Sequence, residues 1–281
     1  MLNALSVDVE DAFQVGAFET TIRREDWGRL TPRVEANTDK VLALFDSAGV
    51  KGTFFTLGWV AHRYPALIRR IVDQGHEIAS HGWDHVRVFT MTPERFGEDL
   101  AQARKAIEDA AGIAVTGYRA PSFSIDARTP WAHAVLAAAG YAYSSSIAPV
   151  AHDHYGWPEA PRFAYRPLPG EALIELPVTT AKFRGRNLAA GGGGFFRMLP
   201  YMFSRWAIRQ VNRQDTRPAI FYFHPWEIDP DQPRVPGAPL KSRIRHYSRL
   251  SAMEGKLQRL LRDFSWARVD AVVAGQVPPL S

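Results

Sequence analysis

Apolar segments typical of buried strands alternate along this chain with segments of helical periodicity. The eight strand candidates share an enrichment in β-branched or aromatic residues and comprise residues 4–9, 53–57, 77–80, 115–119, 141–145, 173–178, 219–223 and 266–269. Strands that alternate with helices form parallel sheets. The pattern therefore predicts an α/β fold with a parallel sheet that is either open or closed into a barrel.

Helical patterns separate these strands. The predicted helices comprise residues 34–48, 59–74, 93–112, 130–139, 199–212 and 242–264. Thr92 and Pro93 are a good helix start, since threonine caps a helix and proline is favoured at its first position. Gly49 and Gly75 follow the first two helices, where glycine readily ends a helix. The glycine run at 191–194 is interpreted as a mobile loop before a helix.

Polar side chains at the strand ends distinguish the closed sheet from the open one. Asp8, His81, Arg119 and His224 each lie at the carboxyl end of a different predicted strand, which is where a β/α barrel gathers its catalytic residues. A doubly wound sheet would call for a glycine-rich turn after the first strand, and residues 8–13 contain no glycine. The sequence predicts a distorted barrel of seven or eight strands.

The 281 residues are interpreted as a single domain, with residues 229–281 as a C-terminal, largely helical extension that begins with a proline-rich excursion. No run of about 18 apolar residues occurs, so we expect no membrane span. The first residues have neither the basic start nor the apolar length of a signal peptide, which predicts a cytoplasmic protein.

The formal net charge is +5, with some concentration of arginines between residues 234 and 249. A basic surface attracts polyanions such as nucleic acid, acidic glycans or anionic lipid. The chain has no basic motif interleaved with aromatic residues, as nucleic-acid modules have. We therefore interpret the excess cations as a solvated face and expect no nucleic-acid partner.

His81 and His85 form the most informative short motif. Their spacing of four residues lets two imidazoles converge on one helical turn, as a divalent metal site needs. The chain also opens with a carboxylate cluster at residues 8–11 and ends a late apolar run with His224. Acids, paired imidazoles and a separate late histidine are the residue types of a metal-dependent hydrolase.

In this order, the motifs resemble those of the polysaccharide deacetylase family, the NodB-like carbohydrate esterases. That family has an early aspartate pair, a His-x-x-x-His motif, an Arg-x-Pro motif and a late histidine after an apolar strand. The counterparts here are residues 8–11, His81 with His85, Arg119-Ala120-Pro121 and His224. The likeness spans about residues 4–270 and implies a NodB-like barrel.

Longer strings are similar to a subfamily found with exopolysaccharide export and exosortase loci. They are Ser-Val-Asp-Val-Glu-Asp at 6–11, Thr-Phe-Phe at 53–55, Gly-Gly-Gly-Gly-Phe-Phe-Arg at 191–197 and Phe-His-Pro-Trp-Glu-Ile-Asp at 223–229. This likeness implies an enzyme of exopolysaccharide biosynthesis.

The resemblance implies one divalent ion, zinc above others, held by His81, His85 and one carboxylate. Where the family has two adjacent aspartates, this chain has Asp-Val-Glu-Asp at 8–11. If the strand pleat persists, Glu10 points to the same side as Asp8 while Asp11 points away. Glu10 is the favoured third ligand, and Asp11 remains the alternative.

The resemblance also implies the catalytic roles. Asp8 would act as general base, His224 would protonate the departing sugar amine, and Arg119 would orient Asp8 and keep it ionised. The backbone N–H of Ser122, which follows Pro121, would hold the oxyanion. The family often has an aromatic residue at the position of Ser122, and a serine or threonine at that of Gly82.

Aromatic residues near the site have two interpretations. Trp226 either stacks on a sugar ring of the substrate or packs in the core.

These expectations describe a metal-dependent hydrolase that removes N-acetyl groups from amino sugars of a bacterial polysaccharide or its precursor. Its partner would be an N-acetylated oligosaccharide or polysaccharide. Three alternatives stay open: a cyclic-amide hydrolase of the allantoinase type, a mononuclear iron oxygenase and a catalytically silent glycan-binding module. The oxygenase uses the same ligand types, but its usual His-x-Asp/Glu spacing is absent here.

Overall fold

The computed structural model describes residues 1–152 and 155–276. Ten strands occur in this part of the chain: β1 (Leu2–Val9), β2 (Thr53–Thr56), β3 (Glu77–Ser80), β4 (Gly117–Tyr118), β5 (Tyr143–Ser144), β6 (Ile174–Glu175), β7 (Thr180–Phe183), β8 (Arg186–Ala189), β9 (Ile220–Phe223) and β10 (Ser265–Ala267). All except β7 and β8 form one curled parallel sheet, so the predicted α/β barrel class is confirmed.

The first strand organises the sheet. β1 pairs with β2 through residues 6–9, with β9 through residues 4–7 and with β10 through residues 2–4. From β2 the sheet continues in chain order to β6. Thr179 N–H donates to the carbonyl of Ile220 at 3.3 Å, which joins the far end of the sheet to β9 without a regular ladder. The barrel is therefore distorted on that side.

Ten helices surround the sheet. They are α1 (Val34–Ser47), α2 (Gly58–Arg63), α3 (Pro65–Asp73), α4 (Pro93–Ala111), α5 (Ala132–Ala138), α6 (Gly193–Met198), α7 (Tyr201–Arg213), α8 (Leu240–Tyr247), α9 (Met253–Asp263) and α10 (Val269–Val273) within the described residues. No helix in this part of the chain has both the length and the apolarity needed to cross a bilayer.

The alternation of side chains along β1 separates two layers of the core. Leu5, Val7 and Val9 pack with the surrounding helices in the largest apolar cluster. Ala4 faces the other way and contacts a smaller cluster of residues from neighbouring strands, which includes Phe55. Since successive strand residues point to opposite faces, the polar residues Ser6 and Asp8 share the inner side with Ala4. The interior thus becomes polar toward the carboxyl end of the strand.

Three helix predictions are wrong in their extent. The segment 59–74 is two helices. Pro65 has no N–H to donate to the preceding turn, and Tyr64 before it adopts a non-helical conformation. The segment 242–264 divides into α8 and α9 at Arg249, whose φ is +56°. The predicted helix 199–212 begins only at Tyr201 as α7 and is preceded by the separate helix α6.

The glycine run at 191–194 is not the mobile loop that its composition predicts. Gly191 to Gly193 are buried, and Gly193 begins α6. A β-carbon on Gly191 would lie 2.5 Å from the carbonyl oxygen of Ile220, and one on Gly192 would lie 2.8 Å from Tyr222 Oη. Close packing against β9 therefore explains these glycines. The antiparallel hairpin β7–β8, just before the run, was also not anticipated.

The predicted C-terminal extension contributes to the sheet. Its strand β10 pairs with the start of β1. Its helix α9 buries Met253, Leu257 and Leu260 in the largest core cluster. Residues 277–281 of the extension lie outside the described residues.

We predict that Gly58→Ala lowers the free energy of unfolding by about 1–3 kcal/mol, because an added methyl group would overpack a tight helix contact. A β-carbon at Gly58 would lie 2.6 Å from Trp83 Cε3 and 2.8 Å from Ala103 Cα. Gly97→Ala is the matched control: it lies inside α4, where the nearest neighbour would be 3.9 Å away. The control should be neutral or stabilise by up to about 1 kcal/mol. Urea denaturation measures both, and equal stability of the two variants would contradict this packing.

Candidate active site

Functional side chains follow several strands of the sheet at its carboxyl edge. Asp8 is the penultimate residue of β1, while His81, Arg119 and His224 directly follow β3, β4 and β9. A cavity of about 490 Å³ opens at this edge, and Asp8, His81 and His224 line it. Because parallel strands end on the same side, one mouth collects these residues, as their positions in the sequence predict.

Arg119 is fully buried beneath this cavity, and its guanidinium donates four hydrogen bonds. Its Nη1 donates to Asp8 Oδ1 at 2.6 Å and to Ser6 Oγ at 2.9 Å. Its Nε and Nη2 donate to the carbonyl and Oγ of Ser145, at 3.1 and 3.0 Å. The guanidinium carbon also lies 4.0 Å from the ring centre of Phe55. These contacts fix the position of the Asp8 carboxylate, as the sequence-based role of Arg119 requires.

Three buried side chains beside Asp8 form a group that fits a metal ion. Glu10, His81 and His85 each offer one ligand atom, and these atoms lie within 4.8 Å of one another. Glu10 Oε2 is buried without a well-formed hydrogen bond, although His85 Nε2 lies 3.0 Å away. A carboxylate oxygen left in this way is suited to a cation, and two imidazoles with one carboxylate are a common ligand set for zinc.

The hydrogen bonds of His81 set its tautomer. Its Nδ1 lies 2.8 Å from the carbonyl oxygen of Arg119. A carbonyl only accepts, so Nδ1 carries the hydrogen and Nε2 keeps its lone pair for a metal. Burial, together with the neighbouring His85, lowers the pKa of His81 to about 3. His81 is thus held neutral, as a metal ligand must be.

The histidines around Glu10 favour the charged form of its carboxyl group. Burial alone would raise the pKa of this carboxyl, but His85, His224 and His81 outweigh burial and lower it. Glu10 therefore remains a carboxylate.

The prediction that His81 and His85 share a helical turn is wrong, since both lie in an irregular loop. His85 has a φ of +63°, and the ring centres are 5.6 Å apart. The loop is held by the N–H groups of Gly58 and Trp59, which donate to the carbonyls of residues 82 and 83. The N–H of Trp83 in turn donates to the buried carboxylate of Asp99. Long-range hydrogen bonds, which spacing alone does not reveal, replace the helix.

The carboxylate of Asp11 points away from the two histidines. Its oxygens accept hydrogen bonds from the N–H groups of Ala12 at 2.8 Å, Arg33 at 2.6 Å and Val34 at 2.9 Å. Asp11 thus satisfies free N–H groups at the start of α1. The geometry favours Glu10 over Asp11 as the third ligand.

His224 lies beside the metal-fitting group, at the cavity. Its Nε2 is 3.5 Å from Glu10 Oε1 and 4.0 Å from Asp8 Oδ2. Its Nδ1 is 2.8 Å from Glu227 Oε1, and since a carboxylate only accepts, Nδ1 donates. Burial favours the neutral ring, but the hydrogen bond to Glu227 and the charges of Glu10, Glu227 and Asp8 raise the pKa of His224 to about 9. His224 is therefore an imidazolium at neutral pH.

Glu227 and Arg197 support His224 and were not anticipated from the sequence. Arg197 Nε donates to Glu227 Oε2 at 2.6 Å, and both side chains are buried. Burial would raise the pKa of Glu227, but Arg197 and His224 lower it to about 2. The signal was present, because both residues occur in the strings at 191–197 and 223–229. Packing also requires Gly193, where a β-carbon would lie 2.3 Å from Glu227 Oε1.

The predicted substrate-contact residues lie in different surroundings. Ser122 lines the cavity with a φ of +55°, whereas Pro121 is buried at the start of the same short 3-10 helix. Trp226 is only 6% exposed, and its indole stacks on the rings of His224 and His246, with centres 5.0 and 4.1 Å away. Of the two interpretations of Trp226, these contacts favour packing over stacking on a sugar.

Comparison with known proteins adds an independent observation. Residues 26–144 match the family model for polysaccharide deacetylases, and residues 145–274 match a domain of unknown function, DUF3473. A peptidoglycan deacetylase of Helicobacter pylori is 28% identical over 148 residues, which are 52% of this chain and 50% of that protein. These matches show that part of this chain is similar to polysaccharide deacetylases. The matched segments span 18–50% of the lengths of the curated relatives.

Solved structures share the fold over most of this chain. A protein from Mycobacterium smegmatis assigned to the polysaccharide deacetylases aligns with a TM-score of 0.63 and 22% identity, covering 100% of this chain and 92% of that one. PuuE allantoinase aligns with a TM-score of 0.62 and 14% identity, covering 97% and 89% of the two chains. The barrel is therefore shared by a protein assigned to the polysaccharide deacetylases and by an allantoinase, and the fold alone does not choose between these activities.

We predict that Glu10→Gln weakens zinc binding by about 100-fold or more, because even changes around metal ligands cost roughly 10- to 100-fold. Asp11→Asn is the matched control: it should keep the affinity and lose about 1 kcal/mol of stability through its contacts at α1. Competition with a chromophoric chelator measures the affinity. A loss of zinc in Asp11→Asn as large as in Glu10→Gln would make Asp11 the ligand instead.

Proposed function

We propose that this protein is a metal-dependent hydrolase that removes N-acetyl groups from amino sugars of a bacterial polysaccharide or its precursor. The observation that carries the proposal is the arrangement of Asp8, the metal-fitting group and His224 around one cavity. A base, a cation site and an acid are the three elements that amide hydrolysis needs. The match of residues 26–144 to polysaccharide deacetylases supports the same reaction. The strings that resemble the exopolysaccharide-associated subfamily make an exopolysaccharide the proposed physiological substrate.

In this proposal, Glu10, His81 and His85 hold one divalent ion, with zinc as the best fit to the donor set. When bound, the ion would polarise the acetyl carbonyl and make water more acidic. The hydrogen bond from His81 Nδ1 to Arg119 orients the ring toward that ion.

Asp8 is the proposed general base. Its Oδ1 is held by Arg119, so Oδ2 is the oxygen that can accept a proton from water. The water oxygen forms the new bond to the acetyl carbon while Asp8 takes the proton. The N–H of Ser122 is the proposed donor to the resulting oxyanion, a role that the family resemblance implies.

His224 is the proposed general acid. Its Nδ1 is bound to Glu227, so Nε2 is the atom that can deliver a proton to the sugar nitrogen. When the carbon–nitrogen bond breaks, the amine leaves with that proton and acetate remains. An amine is a poor leaving group without that proton, so the reaction depends on His224. Because Glu227 binds His224 Nδ1, it is the proposed positioning residue for this acid.

A cyclic-amide hydrolase is the second candidate, because PuuE allantoinase has the same fold over nearly the whole chain. The match to the deacetylase family model favours the first candidate. Ring opening of a cyclic ureide without acetate release would reverse this preference.

We predict that the metal-loaded protein releases acetate from N-acetylated oligosaccharides. His81→Ala should lose both metal and activity. His224→Ala should keep the metal and lose about 10²- to 10⁴-fold in kcat, the usual contribution of general acid catalysis. Mass spectrometry of the products and metal analysis measure both effects. Acetate release that survives both substitutions would rule out the assigned roles.

We predict that Glu227→Gln lowers kcat on N-acetyl amides by about tenfold or more, because His224 loses the carboxylate that orients it. Hydrolysis of an aryl acetate by the same variant should change far less, since a phenolate leaves without protonation. Parallel assays on the two substrates, with metal content as control, separate this role from general damage. An equal loss on both substrates would assign Glu227 a purely structural role.

A further inference from the structure

Cationic side chains line the same cavity as Asp8 and the metal-fitting group. Arg87 follows the loop of His81 and His85, whereas Lys241 and Arg245 come from α8, far along the chain. These residues take no part in the proposed hydrolysis. Three cations thus reach one cavity from separate segments of the chain.

Arg87 has an unused donor next to the cavity. Its Nη2 donates to Glu19 Oε1 at 2.6 Å, but its Nε is buried with no hydrogen-bond partner among the described residues. The side chain is 19% exposed. A buried guanidinium N–H without an acceptor is costly in a folded protein and is suited to an anion.

Gly16 keeps space open beside this guanidinium. A β-carbon at Gly16 would lie 3.1 Å from Arg87 Nη2 and 3.3 Å from Ser122 Oγ. Any side chain there would fill the gap between Arg87 and the proposed oxyanion donor. The three residues therefore border one small space in the cavity.

Helix α8 contributes the other two cations that line the cavity. Lys241 and Arg245 are four residues apart, so they share a helix face, and both line the cavity. The helix is held in place by Arg197, whose Nη2 donates to the carbonyl of Arg245 and whose Nη1 donates to that of His246. Arg197, which contacts His224 through Glu227, thus also holds α8 beside the cavity.

The charge pattern around α8 is one-sided. Residues 232–253 contain five cations and no aspartate or glutamate. The sequence alone favours a solvated basic face, and Arg243 fits that interpretation because it is exposed and does not line the cavity. Lys241 and Arg245 differ, since they line the cavity that contains the proposed active site.

We propose that Arg87, Lys241 and Arg245 form a subsite for an anionic group, so that the substrate is an acidic glycan. The N-acetylated sugar would carry or adjoin a carboxylate or a phosphate that these cations bind. This inference rests on the proposed deacetylase function. Charge-assisted hydrogen bonds of arginine to such oxygens are stronger than those to neutral hydroxyls, so an uncharged glycan would use these cations poorly.

The experiment compares three probes on the metal-loaded protein. One is an oligosaccharide of alternating glucuronate and N-acetylglucosamine, one is neutral N-acetylchitotetraose, and one is N-acetylglucosamine 1-phosphate. Acetate release gives kcat/KM at low and high NaCl, and calorimetry gives binding. We expect a preference for an anionic probe that declines with salt, because salt screens exposed charges. The uronate and phosphate probes distinguish the two sources of negative charge.

Variants test the named residues. Lys241→Gln and Arg87→Gln should each lower the preference for the anionic probe over the neutral one by roughly three- to tenfold. Arg243→Gln, on the same helix but away from the cavity, is the matched control and should leave the preference unchanged. The exposed position of Lys241 keeps this test independent of any folding defect at Arg87.

The outcomes separate the two proposals. Acetate release with no preference for either anionic probe, and no effect of Lys241→Gln or Arg87→Gln, would overturn the acidic-glycan inference and leave the deacetylase intact. Failure to release acetate from any probe would overturn the proposed function. Calorimetry would then still decide the subsite, since absence of salt-sensitive binding of both anionic probes would refute it.

Discussion

The ion pair between Arg119 and Asp8 is the contact on which the rest of the site depends. It joins the ends of β1 and β4 in the barrel interior, and the carbonyl of the same arginine fixes the tautomer of His81. A buried charge without its partner costs several kcal/mol, so neither residue can be replaced alone without strain on the site. Ser6 and Ser145 accept three further hydrogen bonds from the guanidinium. The proposed base and one proposed metal ligand are therefore positioned by one residue, Asp8 by the guanidinium of Arg119 and His81 by its carbonyl.

The site also shows how environment gives two histidines opposite properties. Burial and the neighbouring His85 keep His81 neutral, with a pKa of about 3, while the carbonyl acceptor sets its tautomer. His224 is half-buried, and Glu227 with nearby carboxylates raises its pKa to about 9. One ring can offer a lone pair to a cation while the other carries a proton a short distance away. Two groups in one cavity whose pKa values are shifted in opposite directions are typical of acid–base chemistry.

The sequence predicted the parallel barrel and the gathering of strand-end residues, because strand and helix periodicities are local and the carboxyl edge follows from them. It missed features set by long-range contacts. The turn of residues 81–85 depends on hydrogen bonds to α2 and to Asp99, and the glycines at 191–194 depend on packing against β9. The pleat argument favoured Glu10 over Asp11, and the hydrogen bonds that Asp11 accepts at α1 are a long-range contact that the sequence did not reveal.

The proposed chemistry requires that Glu10, His81 and His85 bind one metal ion beside Asp8. Anomalous diffraction at the zinc edge from crystals of the zinc-loaded protein tests it most directly. We expect one strong peak within bonding distance of Glu10, His81 Nε2 and one His85 ring nitrogen. A peak elsewhere, or none at this position at saturating zinc, would contradict it.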